Sequence, residues 1–362
     1  MGSGIGSIGA GIAPSGLAAG TASDALVAAS TARRRRAIRA PAGIDPTIPY
    51  EPIIMGLDAR HDWLTAKRIE LGSIFEPIKD ARLWLLKLAN GATPNRADGT
   101  PGAPLPDEPG AQRFAVIGDF GEGSPEELRI AAQVKAMHPD RVLTLGDNVY
   151  PTGRERDWQR GFDPPELFGT MVKTTPFMPS LGNHDYYNYD LRPYFNRFPH
   201  LQGRPYYTWS SGNAQFFVLD TEQRLDGGST QLAWLGAQLA QSTAGVKIVY
   251  LHRPPYSSAG AETPPAWRDA LHRVLAAHGV QLVIAGHEHS YERSHAIDGV
   301  TYIVSGGGGA KVYPFRAAQP AWSAYRTMRH HYLQLLIGHG RIVVRAVDQN
   351  GDTVDTVAIP AG

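Results

Sequence analysis

The sequence predicts an α/β fold, a partly parallel sheet built from βαβ units and closed by further antiparallel strands. Three observations predict it. From Arg113 onward, short apolar runs alternate with helix-forming segments; the last apolar runs follow one another with no helix between them; and five short polar clusters fall at or just after predicted strand ends. Alternation on this scale is the pattern of parallel strands joined by crossover helices, whereas strands in direct succession close a sheet antiparallel. No internal repeat is visible.

Taken in order, the chain opens with a segment unlike the rest. Met1 to Gly20 is almost entirely Gly, Ala, Ser and Ile, and four arginines follow at 33–36. Glycine at this density cannot offset its ordering entropy, so residues 1–45 are expected to be disordered. A secretory signal places positive charge before its apolar stretch, and here the arginines come after a weak one. A twin-arginine signal needs an apolar segment downstream, and Ala37 to Ile44 is too short and too broken by Pro and Gly. No conventional signal peptide is therefore expected, and export by another route stays open. Residues 46–110 are expected to be a helical extension and linker. Ile78 to Ala89 uses strong helix formers and stops at Asn90-Gly91, and residues 91–111 are rich in Pro, Gly and Asp.

Residues 111–362 are the expected catalytic domain. Phe114 to Ile117 and Val142 to Leu145 read as buried strands flanking a helix that starts with proline at Pro125 and runs to Met137. Ser229 to Gln241 reads as a helix, Val246 to Leu251 as a strand, Pro265 to Ala277 as a helix and Gln281 to Ala285 as a strand. Tyr302 to Ser305, Tyr332 to Ile337, Ile342 to Val347 and Thr353 to Ile359 read as the closing strands.

Composition narrows the function classes. The 362 residues are 42% apolar, enough for a large core, with formal charge +1 and no cysteine. Near-neutral charge gives no bulk attraction to nucleic acid or an anionic membrane, and no nucleic-acid partner is expected. Absence of cysteine removes disulfides, thiolate metal sites and thiol nucleophiles. No run approaches the ~18 apolar residues of a membrane-spanning helix. Any metal site must use His, Asp, Glu, Asn and Tyr.

Those residue types are what the five clusters hold: Gly118-Asp119-Phe120-Gly121, Gly146-Asp147-Asn148-Val149-Tyr150, Gly182-Asn183-His184-Asp185, Val249-Tyr250-Leu251-His252 and Gly286-His287-Glu288-His289. Asp119 and Asp147 are 28 residues apart, Asp147 and Asn183 36, each about one βαβ unit, which sets successive strand ends side by side. Carboxylate, amide oxygen and phenolate are hard donors and imidazole is borderline, a set suited to iron, manganese or zinc. The donors outnumber the needs of one four-coordinate zinc, so two metals are the natural reading.

Over roughly residues 113–310 the whole set resembles the calcineurin-like metallophosphoesterases, and among them the purple acid phosphatases. The broader family begins with Asp-x-His; this chain has Gly121 at that histidine and supplies Tyr150 three residues after Asp147, as purple acid phosphatases do. Tyr291-Glu292-Arg293, the glycine-rich run Tyr302 to Gly309 and Gln231 to Leu235 match the family as well. Nothing in residues 1–110 matches it, and the N-terminal β-sandwich of the plant enzymes is not recognisable. The resemblance implies a metallophosphoesterase αβ-sandwich: a βαβαβ core with two mixed sheets flanked by helices.

Carried over residue by residue, the resemblance implies that Asp119, Tyr150 and His289 bind one metal, that Asn183, His252 and His287 bind a second, and that Asp147 bridges them. It implies Fe(III) paired with Fe(II), Zn(II) or Mn(II). Two aspartates, a tyrosinate and a bridging hydroxide leave such a pair with net positive charge, whereas two divalent ions would be neutralised. A trivalent ion is also the agent best able to hold a tyrosine ionised. The activity implied is hydrolysis of phosphate monoesters by a metal-activated hydroxide, with His184 binding phosphate and protonating the leaving oxygen. The alternative is a phosphodiesterase acting on cyclic nucleotides or other diesters at the same site. Arg253 and His295 are weaker candidates for substrate contact, Asp185 could orient His184, and the substrate is expected to be a small phosphate ester. Oligomeric state is not legible.

Overall fold

The computed structural model describes residues 40–52 and 97–362, less residues 104, 106–108, 260–262, 316–317 and 339. The expected helix at 78–89 and the low-complexity residues 1–39 lie outside the described residues. In chain order the elements are β1 (Ala97–Gly99), β2 (Gln112–Ile117), α1 (Pro125–Ala136), β3 (Arg141–Leu145), α2 (Glu155–Gly161), β4 (Phe177–Ser180), α3 (Asn183–Tyr186), α4 (Arg192–Arg197), β5 (Tyr207–Ser211) and β6 (Ala214–Val218). There follow α5 (Thr230–Gln241), β7 (Val246–Leu251), α6 (Pro265–Ala277), β8 (Leu282–Ala285), β9 (Tyr291–Ser294), β10 (Thr301–Ser305), β11 (Ser323–Thr327), β12 (His331–Gly338), β13 (Arg341–Asp348) and β14 (Thr353–Pro360).

These strands form two mixed sheets, one ordered β1-β11-β9-β10-β8-β7-β6-β5 and one ordered β14-β13-β12-β2-β3-β4. In the second, β2, β3 and β4 are parallel and β12 returns antiparallel to β2. In the first, β6, β7, β8 and β10 are parallel and β9 runs antiparallel to β10. The alternation along a strand shows which face meets what. In β7, Ile248 and Tyr250 join the large core containing Phe114, Val116 and Leu333 of the other sheet. Val249 and Leu251 turn to the opposite face, against Leu235 and Leu239 of α5 and Leu271 and Leu275 of α6. Strands buried on both faces read as continuous apolar runs, which is why β7 was legible from sequence. Helix α1 starts as its sequence predicts: Ser124 Oγ accepts from Glu127 N at 3.1 Å, and Pro125 occupies the first turn.

Several elements depart from expectation. Residues 97–99, within the stretch read as linker, form β1 and pair with Thr327 to Tyr325 of β11. Buried Arg326 secures that pairing through Asp98 Oδ2, at 2.7 and 3.0 Å. Residues 40–52 also pack on this unit: Leu191 N donates to Ala42 O, and Arg224 N to Glu51 O. The strand expected to end before the third cluster is β4, whereas β5, β6, β9 and β11 were not expected. Among the described residues no helix is long and apolar enough to cross a membrane.

Candidate metal centre

All five clusters end on the same edge of the sandwich. Asp119 follows β2, Asp147 follows β3, Asn183 and His184 open α3 after β4, His252 follows β7, and His287 and His289 lie between β8 and β9. The backbone there is bent into conformations that ordinary residues avoid: φ is 55° at Asp119, 49° at Asp147 and 68° at His287. Positive φ on non-glycine residues concentrates where side chains must be aimed at a function. Two glycines make the close approach feasible. At Gly146, with φ of 86°, an added Cβ would stand 2.6 Å from His252 Nδ1. At Gly121, with φ of 81°, it would stand 2.0 Å from the Asn148 carbonyl oxygen, so no histidine fits there.

Seven side chains point their donor atoms at one small volume. The Tyr150 hydroxyl is 3.4 Å from Asp119 Oδ1, 3.2 Å from Asp147 Oδ2 and 3.2 Å from His289 Nε2. Across the shared Asp147 Oδ2, His252 Nε2 is 3.3 Å away and stands 3.1 Å from both Asn183 Oδ1 and His287 Nδ1. The donor atoms of Asp147, His252 and His287 lie within 4.8 Å of one another. One hydroxyl proton cannot serve three acceptors, nor one Nε2 proton three more. A set so rich in lone pairs and poor in protons fits cations.

The surroundings aim those lone pairs. His252 Nδ1 and His289 Nδ1 face the carbonyls of Leu145 (2.8 Å) and Lys311 (2.7 Å), which leaves each Nε2 lone pair turned to the centre. Tyr187 Oη accepts from Asn183 Nδ2 at 2.7 Å and so presents Oδ1 to the centre. Tyr313 stacks on the His289 ring, 4.4 Å between centroids. The electrostatics show the same shortage of positive charge. Burial opposes ionisation of Asp147, yet the charges of His252 and His184 hold it below the usual carboxylate range. Burial likewise opposes the His252 charge, and Asp147 nonetheless pushes it up to about 9. Burial, then the negative charges of Asp147 and Asp119, push the Tyr150 hydroxyl well above its usual range, so an ionised Tyr150 requires a strong cation beside it.

His184 sits at the rim, not among the donors. Its ring lies between Tyr150 (4.2 Å) and Tyr187 (4.6 Å), its Nδ1 faces the Pro151 carbonyl at 2.8 Å, and its Nε2 is 3.9 Å from Asp147 Oδ2. Asp185 does not orient it. That carboxylate instead accepts from Gly182 N (2.9 Å) and Asn148 Nδ2 (2.9 Å), tying the second and third clusters together. Burial, then the Asp147 charge, push Asp185 up to about 8. Arg253 reaches the site, with Nη1 3.2 Å from His287 Nε2. His295 does not. Strand β9 starts at the centre, where Tyr291 pairs with Ser305, and runs away from it, so His295 ends exposed ~13 Å along the strand. The sequence reading missed Tyr313, the aiming role of Tyr187, and Glu222, which grips Arg253; Tyr313 and Glu222 act across chain segments with no local motif, and Tyr187 acts on Asn183 from four residues away.

The calcineurin-like phosphoesterase profile matches residues 112–291, a span holding all seven donor residues and His184. Residues 112–291 form a calcineurin-like metallophosphoesterase domain. Tartrate-resistant acid phosphatase type 5 of Rattus norvegicus is 26% identical over 303 residues, covering 68% of this chain and 90% of that protein. A probable inactive purple acid phosphatase 1 of Arabidopsis thaliana is 25% identical, covering 67% of this chain and 48% of its own length. The purple acid phosphatase from seeds of yellow lupin, Lupinus luteus, shares the fold with a TM-score of 0.62 at 22% identity, covering 71% of this chain and 55% of that one. The chain thus spans about half the length of these two plant proteins. Within this domain, the backbone at Gly121 leaves no room for the histidine of an Asp-x-His pattern.

Proposed function

We propose that this chain is a purple-acid-phosphatase-like phosphomonoesterase with a two-metal centre. The observation supporting this reading most is the double cluster of donors about Asp147 Oδ2, with Tyr150 on one side and Asn183, His252 and His287 on the other. Asp119, Tyr150 and His289 would hold Fe(III), and Asn183, His252 and His287 would hold Fe(II), Zn(II) or Mn(II), with Asp147 between them. Bound there, such a pair supplies Lewis acidity toward the phosphoryl oxygens and a nucleophile drawn from water.

The chain's own residues supply the rest. Asp119 and Asp147 concentrate negative charge where it is wanted, and Asp119 Oδ2 fixes the fifth cluster by accepting from His287 N at 2.8 Å. His184 Nδ1 donates to the Pro151 carbonyl, so it is the second proton of the doubly protonated ring, on Nε2, that would pass to the leaving oxygen, returning His184 to its neutral form. Tyr150 and Tyr187 both pack against its ring, 4.2 and 4.6 Å between centroids. Arg253 and the ester's phosphoryl group are complementary in charge and geometry.

Rates on 4-nitrophenyl phosphate and on bis(4-nitrophenyl) phosphate test the reading. The monoester should be the better substrate for metal-loaded protein. A diester preference of more than tenfold would instead assign the chain to diester hydrolysis, and turnover of neither would place it with the relative named inactive. Asp147→Ala should lose bound metal and turnover together.

A further inference from the structure

Arg253 is held in one particular way. Its Nε donates to Glu222 Oε1 at 2.7 Å and its Nη2 to Glu222 Oε2 at 3.3 Å, a fork on fork that uses one edge of the guanidinium. The remaining nitrogen, Nη1, is thereby turned to His287 Nε2 at 3.2 Å. His287 turns Nδ1 to the donor cluster; with a cation held there, its ring proton would sit on Nε2. In that state Arg253 Nη1 and His287 Nε2, 3.2 Å apart at the rim of the centre, would both offer N–H groups to an oxygen placed beside them.

Glu222 is itself fixed by backbone and buried contacts. Its N donates to Asp220 Oδ1 at 3.0 Å, and Asp220 Oδ2 accepts from Tyr186 (2.5 Å) and Gln223 Nε2 (2.8 Å). Gln223 Oε1 accepts from Glu51 N at 3.3 Å, and Arg224 N donates to the Glu51 carbonyl. The loop bearing Glu222 is thus tied both to α3, which carries His184, and to the N-terminal segment at Glu51. The Glu222–Arg253 pair is largely shielded, at 17% and 16% side-chain exposure. That makes it more than the screened, weak contact typical of surface ion pairs.

We infer that Glu222 is a positioning residue that locks Arg253 into a clamp on a terminal oxygen of the substrate, and that the pair selects monoesters over diesters. The inference rests on the phosphomonoesterase reading above. A monoester carries three terminal oxygens and a diester two. A rigid donor pair that takes the additional oxygen therefore strengthens binding of the first class only, and the extra charge of a monoester dianion adds to the difference.

The test uses the metal-loaded full chain, wild type and with Arg253→Ala, Glu222→Ala or Glu222→Gln. Loss of a charge-assisted hydrogen bond should lower the ratio of kcat/KM on 4-nitrophenyl phosphate to that on bis(4-nitrophenyl) phosphate by about tenfold in both alanine variants. KM for the monoester and the calorimetric Kd of inorganic phosphate should rise in parallel, with metal content retained. Glu222→Gln keeps an acceptor for Arg253 Nε and should lose less than either. A purely structural ion pair would lower Tm and leave the substrate ratio and phosphate affinity where they were; that result in Arg253→Ala and Glu222→Gln overturns the inference, even if Glu222→Ala fails to fold. Failure of the wild type to hydrolyse the monoester would instead remove the functional reading beneath it.

Discussion

Glu127 should make the stability of this protein fall as pH rises, and substituting it should remove its share of that slope. The side chain is fully buried in the first turn of α1. Oε2 accepts from Gly123 N at 2.7 Å, which braces the Gly121–Gly123 loop after Asp119, while Oε1 has no hydrogen-bond partner among the described residues. Burial, opposed by the Gly123 and Gly121 amides, pushes this carboxyl from 4.5 up to about 8. Between those values the native protein keeps a proton that the unfolded chain has released, so unfolding gains on folding with each rise in pH. At ~1.4 kcal/mol per unit over a gap of about 3.5 units, the loss reaches ~4–5 kcal/mol once pH exceeds the native value. Glu127→Gln keeps the size and the acceptor for Gly123 N but cannot ionise. In urea unfolding, wild type and variant should agree within ~1 kcal/mol near pH 5, and the variant should be the more stable by ~3 kcal/mol or more near pH 9. Parallel stability curves across that range would refute the reasoning.

Three further outcomes follow from contacts already described. Tyr150→Phe should retain the fold while losing any visible ligand-to-metal band of the iron-loaded protein, as read by absorption spectroscopy, because the phenolate oxygen is the group removed. Gly121→His should destabilise by several kcal/mol in thermal unfolding and should not create a new ligand, since its Cβ would meet the Asn148 carbonyl at 2.0 Å with φ at 81°. Asp98→Ala should cost ~1–3 kcal/mol in urea unfolding, because it removes two charge-assisted hydrogen bonds from Arg326, which is 0% exposed.

What could be read from sequence, and what could not, divides along physical lines. Strands buried on both faces and amphipathic helices announce themselves: β7 and α6 have the bounds expected for them, because burial in these segments dictates composition residue by residue. Strand β4, implied in the sequence only by the cluster that follows it, carries Pro179 and lies at the sheet edge, where proline is tolerated. The β5–β6 hairpin turns at Gly212-Asn213, a two-residue connection whose only sequence signal is that dipeptide. Strands β9 and β11 are polar, and their charges become acceptable only through distant partners: Glu292 with Ser258, Arg293 with Asp355, Arg326 with Asp98. The site follows the same rule. The seven donors were legible because each sits in a short cluster at a strand end. His295 misled because nearness in sequence to His289 says nothing of strand direction, and Glu222 and Tyr313 were silent because only the tertiary fold brings them to the centre.

The most direct test of the account is the metal content of active, full-length protein, measured by elemental analysis beside its phosphomonoesterase activity. Two metal ions per chain are predicted, iron among them, with activity rising in step with occupancy and both falling together in Asp147→Ala. Full activity with one ion per chain or none, or an Asp147→Ala variant that keeps its metals and its turnover, would contradict it.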